Sequence, residues 1–489
     1  MSPSQPRSSL ARRDFLKYGG VTATVGLSRT GAAQPGSKPN IVVFLVDQMR
    51  ADLLGCYGNG FTRTPVLDRF ASRGVRFNRA YCGFPQCSPA RASLMTGLYP
   101  NKTGIGIQSD YRMFGDRTVE RLDKDLPSIF TLFKATGYQT GYVGKWHLSL
   151  EEPPPDFHDY GIDFFSPLPE FRSKQRPLVE EGRALRIAGF CDPPPLWRGE
   201  MTKQATGFID GCSAQKKPFL LFYSDYRPHP PYFLPEQDFR RFAPEKIDLW
   251  PNLKDDLKGK PLTHRFLRER VLEGSTLTES SWTKVIQHYS ATISAVDHDI
   301  GLVYDALEKN GVLDNTIVVF VSDHGDTCGA HGFLSKGVVA YEELIRIPMI
   351  ISWPGHFQAG KSCDELVCLM DVLPTLLEAT QTGVDPGQFD GRSLSAILRG
   401  QNQDRCRDYL LIMHHGNMYG LCSMRAVVGK RLKYVYYPYD TGEIYDLQTD
   451  PWEMRNLLQE REHQQTAAEL HAKLKLLMRE ASDTRIAPR

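Results

Sequence analysis

The stretch Asn40-Ile41-Val42-Val43-Phe44-Leu45-Val46-Asp47-Gln48 starts as a nearly unbroken apolar run rich in β-branched residues and stops at two polar ones. A strand with one face in the core alternates apolar and polar side chains. A run this uniform predicts a parallel strand buried on both faces. Similar runs follow at 138–143, 218–224, 315–321 and 346–353, with a shorter one at 75–81. Between them, 64–74, 125–135, 280–310 and 369–380 read as helices. Strands alternating with helices predict an α/β fold. In such a sheet ligands bind at the carboxyl ends of the strands, which is where Asp47 and Gln48 stand. Beyond Gly391 the pattern changes to short alternating runs at 409–413, 423–428, 432–437 and 443–447, then an amphipathic stretch at 464–481. These predict a small antiparallel sheet with one helix.

Other strand ends carry polar residues too. Gly144-Lys145-Trp146-His147 follows the 138–143 run, and alternation points Lys145 and His147 the same way. Arg227-Pro228-His229-Pro230-Pro231 follows the 218–224 run, its prolines restricting the backbone around His229. Ser322-Asp323-His324-Gly325 ends the 315–321 run, with Lys336 a little further on. One stretch adds a reactive side chain: Cys87-Ser88-Pro89-Ala90-Arg91-Ala92-Ser93-Leu94-Met95-Thr96-Gly97. Ser88 suits an N-cap, Pro89 the first helical position and Gly97 the residue past the end. Cys87 then sits at the positive end of a short helix, with Arg91 one turn on and able to fold back over it. An isolated Cys-x-x-x-Arg is more often a buried cysteine beside a surface arginine; the length of the string argues otherwise.

The chain has 489 residues, 41% of them hydrophobic, and a formal charge of +2. That length accommodates one large domain and a smaller one, and the charge balance does not point to nucleic acid. Residues 1–33 depart from globular composition. Arg12-Arg13-Asp14-Phe15-Leu16-Lys17, a mildly apolar stretch at 18–27 and Gly31-Ala32-Ala33 resemble a twin-arginine export signal, which implies a translocase partner and a periplasmic or extracellular chain starting near Gln34. No other run is long and apolar enough to span a membrane. The catalytic domain is expected over 34–400, with an insertion at about 151–217 over the active face and a second at about 233–277 on the surface, and a C-terminal subdomain over 401–489. The first insertion carries proline triplets at 153–155 and 193–195 and is a natural place for substrate selection. Ten cysteines leave an odd number if Cys87 is consumed, and a Cys363–Cys368 pair stays open. No cysteine and histidine spacing matches a zinc site.

The string C-S-P-A-R-A-S-L-M-T-G-x-x-P resembles the signature of type I sulfatases of the alkaline phosphatase superfamily. The resemblance implies an alkaline-phosphatase-like mixed sheet sandwiched by helices, with a smaller C-terminal α+β subdomain. It implies that a formylglycine-generating or sulfatase-maturating enzyme oxidises Cys87 to formylglycine (3-oxoalanine). The activity implied is hydrolysis of a sulfate monoester through a formylglycine hydrate and a covalent sulfo-enzyme intermediate. Asp47, Gln48, Asp323 and His324 would hold one divalent cation, Ca2+ in preference to Mg2+. Arg91 and Lys145 would hold the hydrate and the sulfate charge, Lys336 the sulfate. His147 would contact the hydrate, and His229 the sulfate and the leaving oxygen as proton donor. Most of the family has two acids where this chain has Asp47-Gln48, and an amide oxygen ligates a hard cation without charge. The Asp323-His324 pair is similar to the iduronate type. An exported sulfatase suits an O-sulfated carbohydrate, a glycosaminoglycan or another sulfated glycan, or a sulfated small molecule. His331, Glu342 and Glu343 stand equally for substrate contacts or for surface positions, and Arg227 is a candidate for a uronate carboxylate. Two other readings share most of these residues: a phosphonate or phosphate monoester hydrolase of the same superfamily, and a non-catalytic sulfated-glycan-binding protein.

Overall fold

In the computed structural model, which describes residues 38–106, 121–149, 151, 153–168, 174–180, 183–192, 197–271, 276–401, 406–415 and 422–484, strand β1 (Asn40–Asp47) is buried along its whole length. The expected export signal lies outside the described residues. Around β1 an eight-stranded sheet is built from β2 (Val75–Phe77), β3 (Gln139–Gly144), β4 (Phe164–Pro167), β5 (Phe219–Pro228), β6 (Thr316–Ser322), β7 (Met349–Ser352) and β8 (Lys361–Cys363). Their spatial order is β8-β2-β7-β6-β1-β5-β3-β4. The strands from β6 through β1, β5 and β3 to β4 run parallel, and β7 is antiparallel to both β6 and β2.

Alternation along β1 divides the core. Ile41, Val43 and Leu45 belong to one apolar cluster and Val42, Phe44 and Val46 to another. Helices α2 (Cys87–Thr96), α3 (Ile129–Ala135) and α6 (Val372–Ala379) cover the first face through Leu94, Phe130, Phe133 and Leu376. Helices α1 (Pro65–Ser72), α4 (Trp197–Ala214) and α5 (Glu279–Lys309) cover the second through Leu67, Ile209, Val285 and Ile293. α5, with 31 residues, is about 46 Å long at 1.5 Å per residue, enough to cross the whole sheet. This is the alkaline-phosphatase-like α/β sandwich that the resemblance implies.

The C-terminal part folds as β9 (Tyr409–His414), β10 (Met424–Gly429), β11 (Leu432–Tyr436) and β12 (Glu443–Asp446), an antiparallel sheet in sequence order, with α7 (Gln464–Glu480) on one face. Leu411, Met413, Val427 and Ile444 meet Leu470, Leu474 and Met478 there. The opposite face, Leu410, Ile412, Ala426 and Val428, joins the core of the large sheet. One main-chain bond, Met413 N to Gly83 O at 2.9 Å, ties β9 to the residues just ahead of Cys87.

The two expected insertions are more regular than their sequences suggest. The first supplies β4, the edge of the central sheet, and α4, and its strands Lys174–Glu180 and Arg183–Asp192 form a small sheet with Tyr232–Leu234. In the second, Asn252, Leu257 and His264 are fully buried, so it packs into the fold rather than lying on it. The helix carrying Cys87 also starts earlier than expected. Gln86 occupies the N-cap position with extended backbone and no capping side chain, and Ser88 is inside the helix. Pro89 remains in the first turn, where a missing N–H is not needed. Gly97 ends the helix in the left-handed region at φ 67°.

Candidate active site

Parallel neighbours in register bring their carboxyl ends to one place. Val46 pairs with Ser322, so the next residues, Asp47 and Asp323, emerge side by side, and Asp323 N donates to Val46 O at 3.1 Å. β5 delivers Ser224 and then His229 to the same edge. β3 ends at Gly144, whose φ of 108° turns the chain so that Lys145 N donates to Ser224 O at 2.9 Å. Lys145 and His147 therefore lie beyond the strand, and it is this turn and the φ of 55° at His147, not strand alternation, that orient them. α2 starts over this edge with Cys87, fully buried.

Asp47, Cys87, Asp323 and His324 present ligand atoms that all lie within 4.8 Å of one another, every one buried. Cys87 Sγ is 3.6 Å from Asp47 Oδ1, 3.3 Å from His324 Nε2 and 3.0 Å from Lys336 Nζ. His147 and His229 also stand close enough to the sulfur to influence its charge. Burial pushes the Cys87 thiol up, but Lys145, Lys336 and His324 outweigh it and hold the thiol well below its ordinary range. Two lysines near one sulfur are an anion site already charged for its ligand.

Arg91 does not fold over Cys87 as expected. Nε donates to Asp323 Oδ2 at 2.9 Å, Nη2 to Asp47 Oδ2 at 3.0 Å, and Nη1 to Lys145 O and Ser224 Oγ at 2.8 Å each. It braces the two carboxylates against each other and against the β3 and β5 ends. Lys145 Nζ reaches Asp47 Oδ2 at 2.6 Å and lies 5.1 Å from the centre of the Tyr226 ring. These cations hold the Asp47 carboxyl below the usual range, against its burial. Burial and the charge of Asp47 raise Asp323 to about 6. Two buried acids this close resist joint ionisation unless a further positive charge lies between them.

The donor set fits such a charge. His324 Nδ1 donates to Gly325 O at 2.8 Å, so Nε2 is the nitrogen that faces the cluster and can serve as a ligand once it gives up its proton as a cation binds. Gln48 is fully buried with its Oε1 lacking any hydrogen-bond donor. Two carboxylate groups, an imidazole nitrogen and an orphaned amide oxygen suit a divalent cation. His229 lies between the cis peptides Arg227–Pro228 and Pro230–Pro231. Its Nδ1 donates to Pro230 O at 2.6 Å, so Nε2 accepts from Lys336 Nζ at 3.1 Å. Burial and Lys336 lower its pKa to about 4, so in the unliganded site the mobile proton sits on Lys336 and not on His229.

Four candidate substrate contacts are structural instead. Arg227 is buried, with Nε and Nη2 on Asp225 at 3.0 and 2.6 Å and Nη2 on Asp299 at 2.8 Å; its charge is committed inside the fold, not offered to a uronate. His331 is fully buried, 2.6 Å from Asp255 Oδ2 and stacked on Tyr341. Glu342 accepts from Lys433 and Tyr81, and Glu343 from Asn252. All ten cysteines are free thiols, Cys363 and Cys368 included. Sequence reading passed over Ser224, which ties Arg91 to the β3 end, and Asp326, which holds the Gln48 amide. The signal for Asp326 was a further acid, two past His324, after a strand whose centre, Ile317 to Val321, is wholly apolar.

A family model described as Sulfatase matches residues 39–382, and one described as N-sulphoglucosamine sulphohydrolase, C-terminal, matches residues 329–480. The arylsulfatase of Clostridium perfringens is 30% identical over 476 residues, covering 88% of this chain and 92% of its own. The Delta 4,5-hexuronate-2-O-sulfatase of Bacteroides thetaiotaomicron is 28% identical over 483 residues, covering 92% and 91%. Among solved structures, the phosphonate monoester hydrolase of Agrobacterium radiobacter superposes with a TM-score of 0.74 at 23% identity, over 91% of this chain and 96% of that one, a likeness of fold alone.

Proposed function

The chain belongs to the sulfatase family of sulfuric ester hydrolases, and from that premise we propose that it removes an O-sulfate from a carbohydrate at Cys87, after this residue has been oxidised to formylglycine and with Ca2+ bound beside it. The observation that carries the reading is the convergence on Cys87 Sγ of Lys336, His324 and Asp47 within 3.6 Å, at the carboxyl edge of a parallel sheet. Sulfate monoesters hydrolyse very slowly in water, so the site must supply a nucleophile, charge neutralisation and a proton for the leaving oxygen.

Asp47, Asp323, His324 and Gln48 would hold the cation, which supplies Lewis-acid polarisation of a sulfate oxygen. Residue 87, once oxidised and hydrated, would supply the nucleophilic hydroxyl and the second hydroxyl whose proton must be lost for sulfate to leave. The rest is the work of the chain's own side chains. Lys336 and Lys145 neutralise the sulfate oxygens. Lys336 holds the proton for the leaving alcohol and shares it with His229 Nε2, 3.1 Å away. His147, beside position 87, is placed to take the proton in the second half of the cycle. Arg91 keeps the two carboxylates apart and fixed.

The carbohydrate substrate is supported by the hexuronate sulfatase relative, which spans nearly the whole chain. Export through a twin-arginine translocase to the periplasm or beyond is supported by residues 1–33 alone. No helix among the described residues is long and apolar enough to cross a membrane. The phosphonate hydrolase reading draws on the shared fold. A glycan-binding protein without turnover is disfavoured because every position of the catalytic set carries a competent side chain.

The deciding measurement is the mass of the tryptic peptide spanning residues 80–91, from protein made in a host that modifies cysteine. A peptide lighter by the exchange of thiol for aldehyde supports the reading, and rates on an aryl sulfate against an aryl phosphonate then choose the ester. An intact thiol from such a host would sink the formylglycine mechanism.

A further inference from the structure

Gln48 is where the cation cluster departs from a pair of acids, and its surroundings are definite. Its Nε2 donates to Asp326 Oδ2 at 2.8 Å and to Ser335 Oγ at 2.9 Å, while Oε1 has no donor. A carboxylate accepts and does not donate, so turning the amide round would set Oε1 against Asp326. Asp326 is itself pinned, receiving Tyr232 Oη at 2.5 Å and Cys328 N at 2.8 Å, and it is fully buried. On its other side Gln48 is tied to the ligand cluster, its main-chain N–H donating to Asp323 Oδ1 at 3.0 Å. Leaving a buried amide oxygen without a partner is unfavourable, and the site tolerates this for a reason. A hard cation is the partner such an oxygen suits.

On the reading of this cluster as a cation site, we propose that Asp326 is a positioning residue that locks the Gln48 carboxamide with its oxygen presented to the cation. The acid absent from position 48 is in effect moved outward to position 326, so the site keeps its local negative charge while one ligand is neutral. Gln48 is then a matched ligand and not a weakened aspartate. An aspartate at 48 would bring a second carboxylate towards Asp326, where a donor now stands. Ser335 directly precedes Lys336, so the same amide also couples the cation ligands to the lysine that faces Cys87.

The test is calorimetric titration with Ca2+ of the full-length wild-type protein and of Asp326→Asn, Ser335→Ala, Gln48→Asp and the double variant Gln48→Asp/Asp326→Asn, with melting temperatures in EDTA beside it. Asp326→Asn frees the amide to turn and is expected to weaken Ca2+ binding by about tenfold or more. Ser335→Ala, which removes the lesser anchor, weakens it less and leaves the melting temperature in EDTA unchanged. Gln48→Asp alone loses affinity, and adding Asp326→Asn recovers it. That reversal of sign is something a merely structural Asp326 would not produce. Should Asp326→Asn fail to fold, Ser335→Ala and the comparison of Gln48→Asp with the double variant still decide. Unchanged Ca2+ affinity in Ser335→Ala and Asp326→Asn, or no recovery in the double variant, overturns the proposal. A wild-type protein that takes up no Ca2+ overturns the cation reading beneath it, a separate result.

Discussion

Lys336 meets the sulfur of Cys87 at 3.0 Å and His229 at 3.1 Å, so one ammonium group touches both side chains. Its removal should therefore do two things that a distant lysine would not. On the proposed formylglycine mechanism Lys336→Ala is expected to lower kcat by about 10²–10³, the usual cost of one donor aimed at developing charge. In the unmodified precursor it should also raise the pKa of Cys87, because Lys336 is among the cations that hold that thiol down. Steady-state rates on an aryl sulfate read the first effect, and alkylation rates of the precursor against pH read the second. A variant with full turnover and an unmoved thiol would remove Lys336 from the machinery. Arg91 illustrates why residue roles were only partly legible. Its place in the helix pointed to Cys87, but its donors go to Asp47 and Asp323, acids that only the register of β1 with β6 brings together.

At the scale of elements, the site depends on how β3 stops. Gly144 has φ 108°, and a Cβ added there would stand 2.0 Å from Ser224 O, the acceptor that anchors Lys145 N. Gly144→Ala must strain its backbone and separate β3 from β5 at the point where Lys145 turns towards Asp47. A loss on the order of 3 kcal/mol is expected, together with a fall in turnover that outlasts any stabilising salt or lower temperature. Urea midpoints and rates measured side by side would check it; a variant with normal Lys145 function would show that the turn is replaceable. The long, fully buried strands and α5 were readable in the sequence because burial on both faces leaves an unmistakable run. β4 was not: Phe164-Phe165-Ser166-Pro167 is four half-buried residues at a sheet edge, too short for a period and ending in proline, which an edge tolerates. The residues that cap strands β1, β3, β5 and β6 were legible as site candidates for the same reason the strands were. What they bond to was not, since partners come from elements far apart in the chain.

Across the whole molecule burial moves several interior ionisable groups out of their ordinary ranges, and they pull stability in opposite directions. Burial lowers His264 and His288 to about 4 and His414 to about 3, while it raises Asp297 to about 7 and Glu453 to about 8. The acids gain protons in the folded state as pH falls, which favours folding; the histidines do the reverse. The net pH profile of the wild type therefore mixes both, and a single residue isolates one contribution. His414 is the best choice, because it is fully buried, edge-on to Phe84, and neither ring nitrogen has a hydrogen-bond partner among the described residues. Its folded pKa lies below the unfolded value near 6.5, so the unfolded chain binds the extra proton between those limits. The stability it contributes is present in full above about pH 6.5 and is lost as pH falls towards 3. His414→Phe keeps a ring against Phe84 and cannot titrate. Relative to wild type it should gain about 2 kcal/mol of stability between pH 8 and pH 5, at 1.36 kcal/mol per unit. Urea unfolding of both proteins at the two pH values measures this directly, since only the difference between their pH dependences is read. Parallel profiles would mean that His414 finds a proton acceptor in the folded chain and is not held neutral by burial.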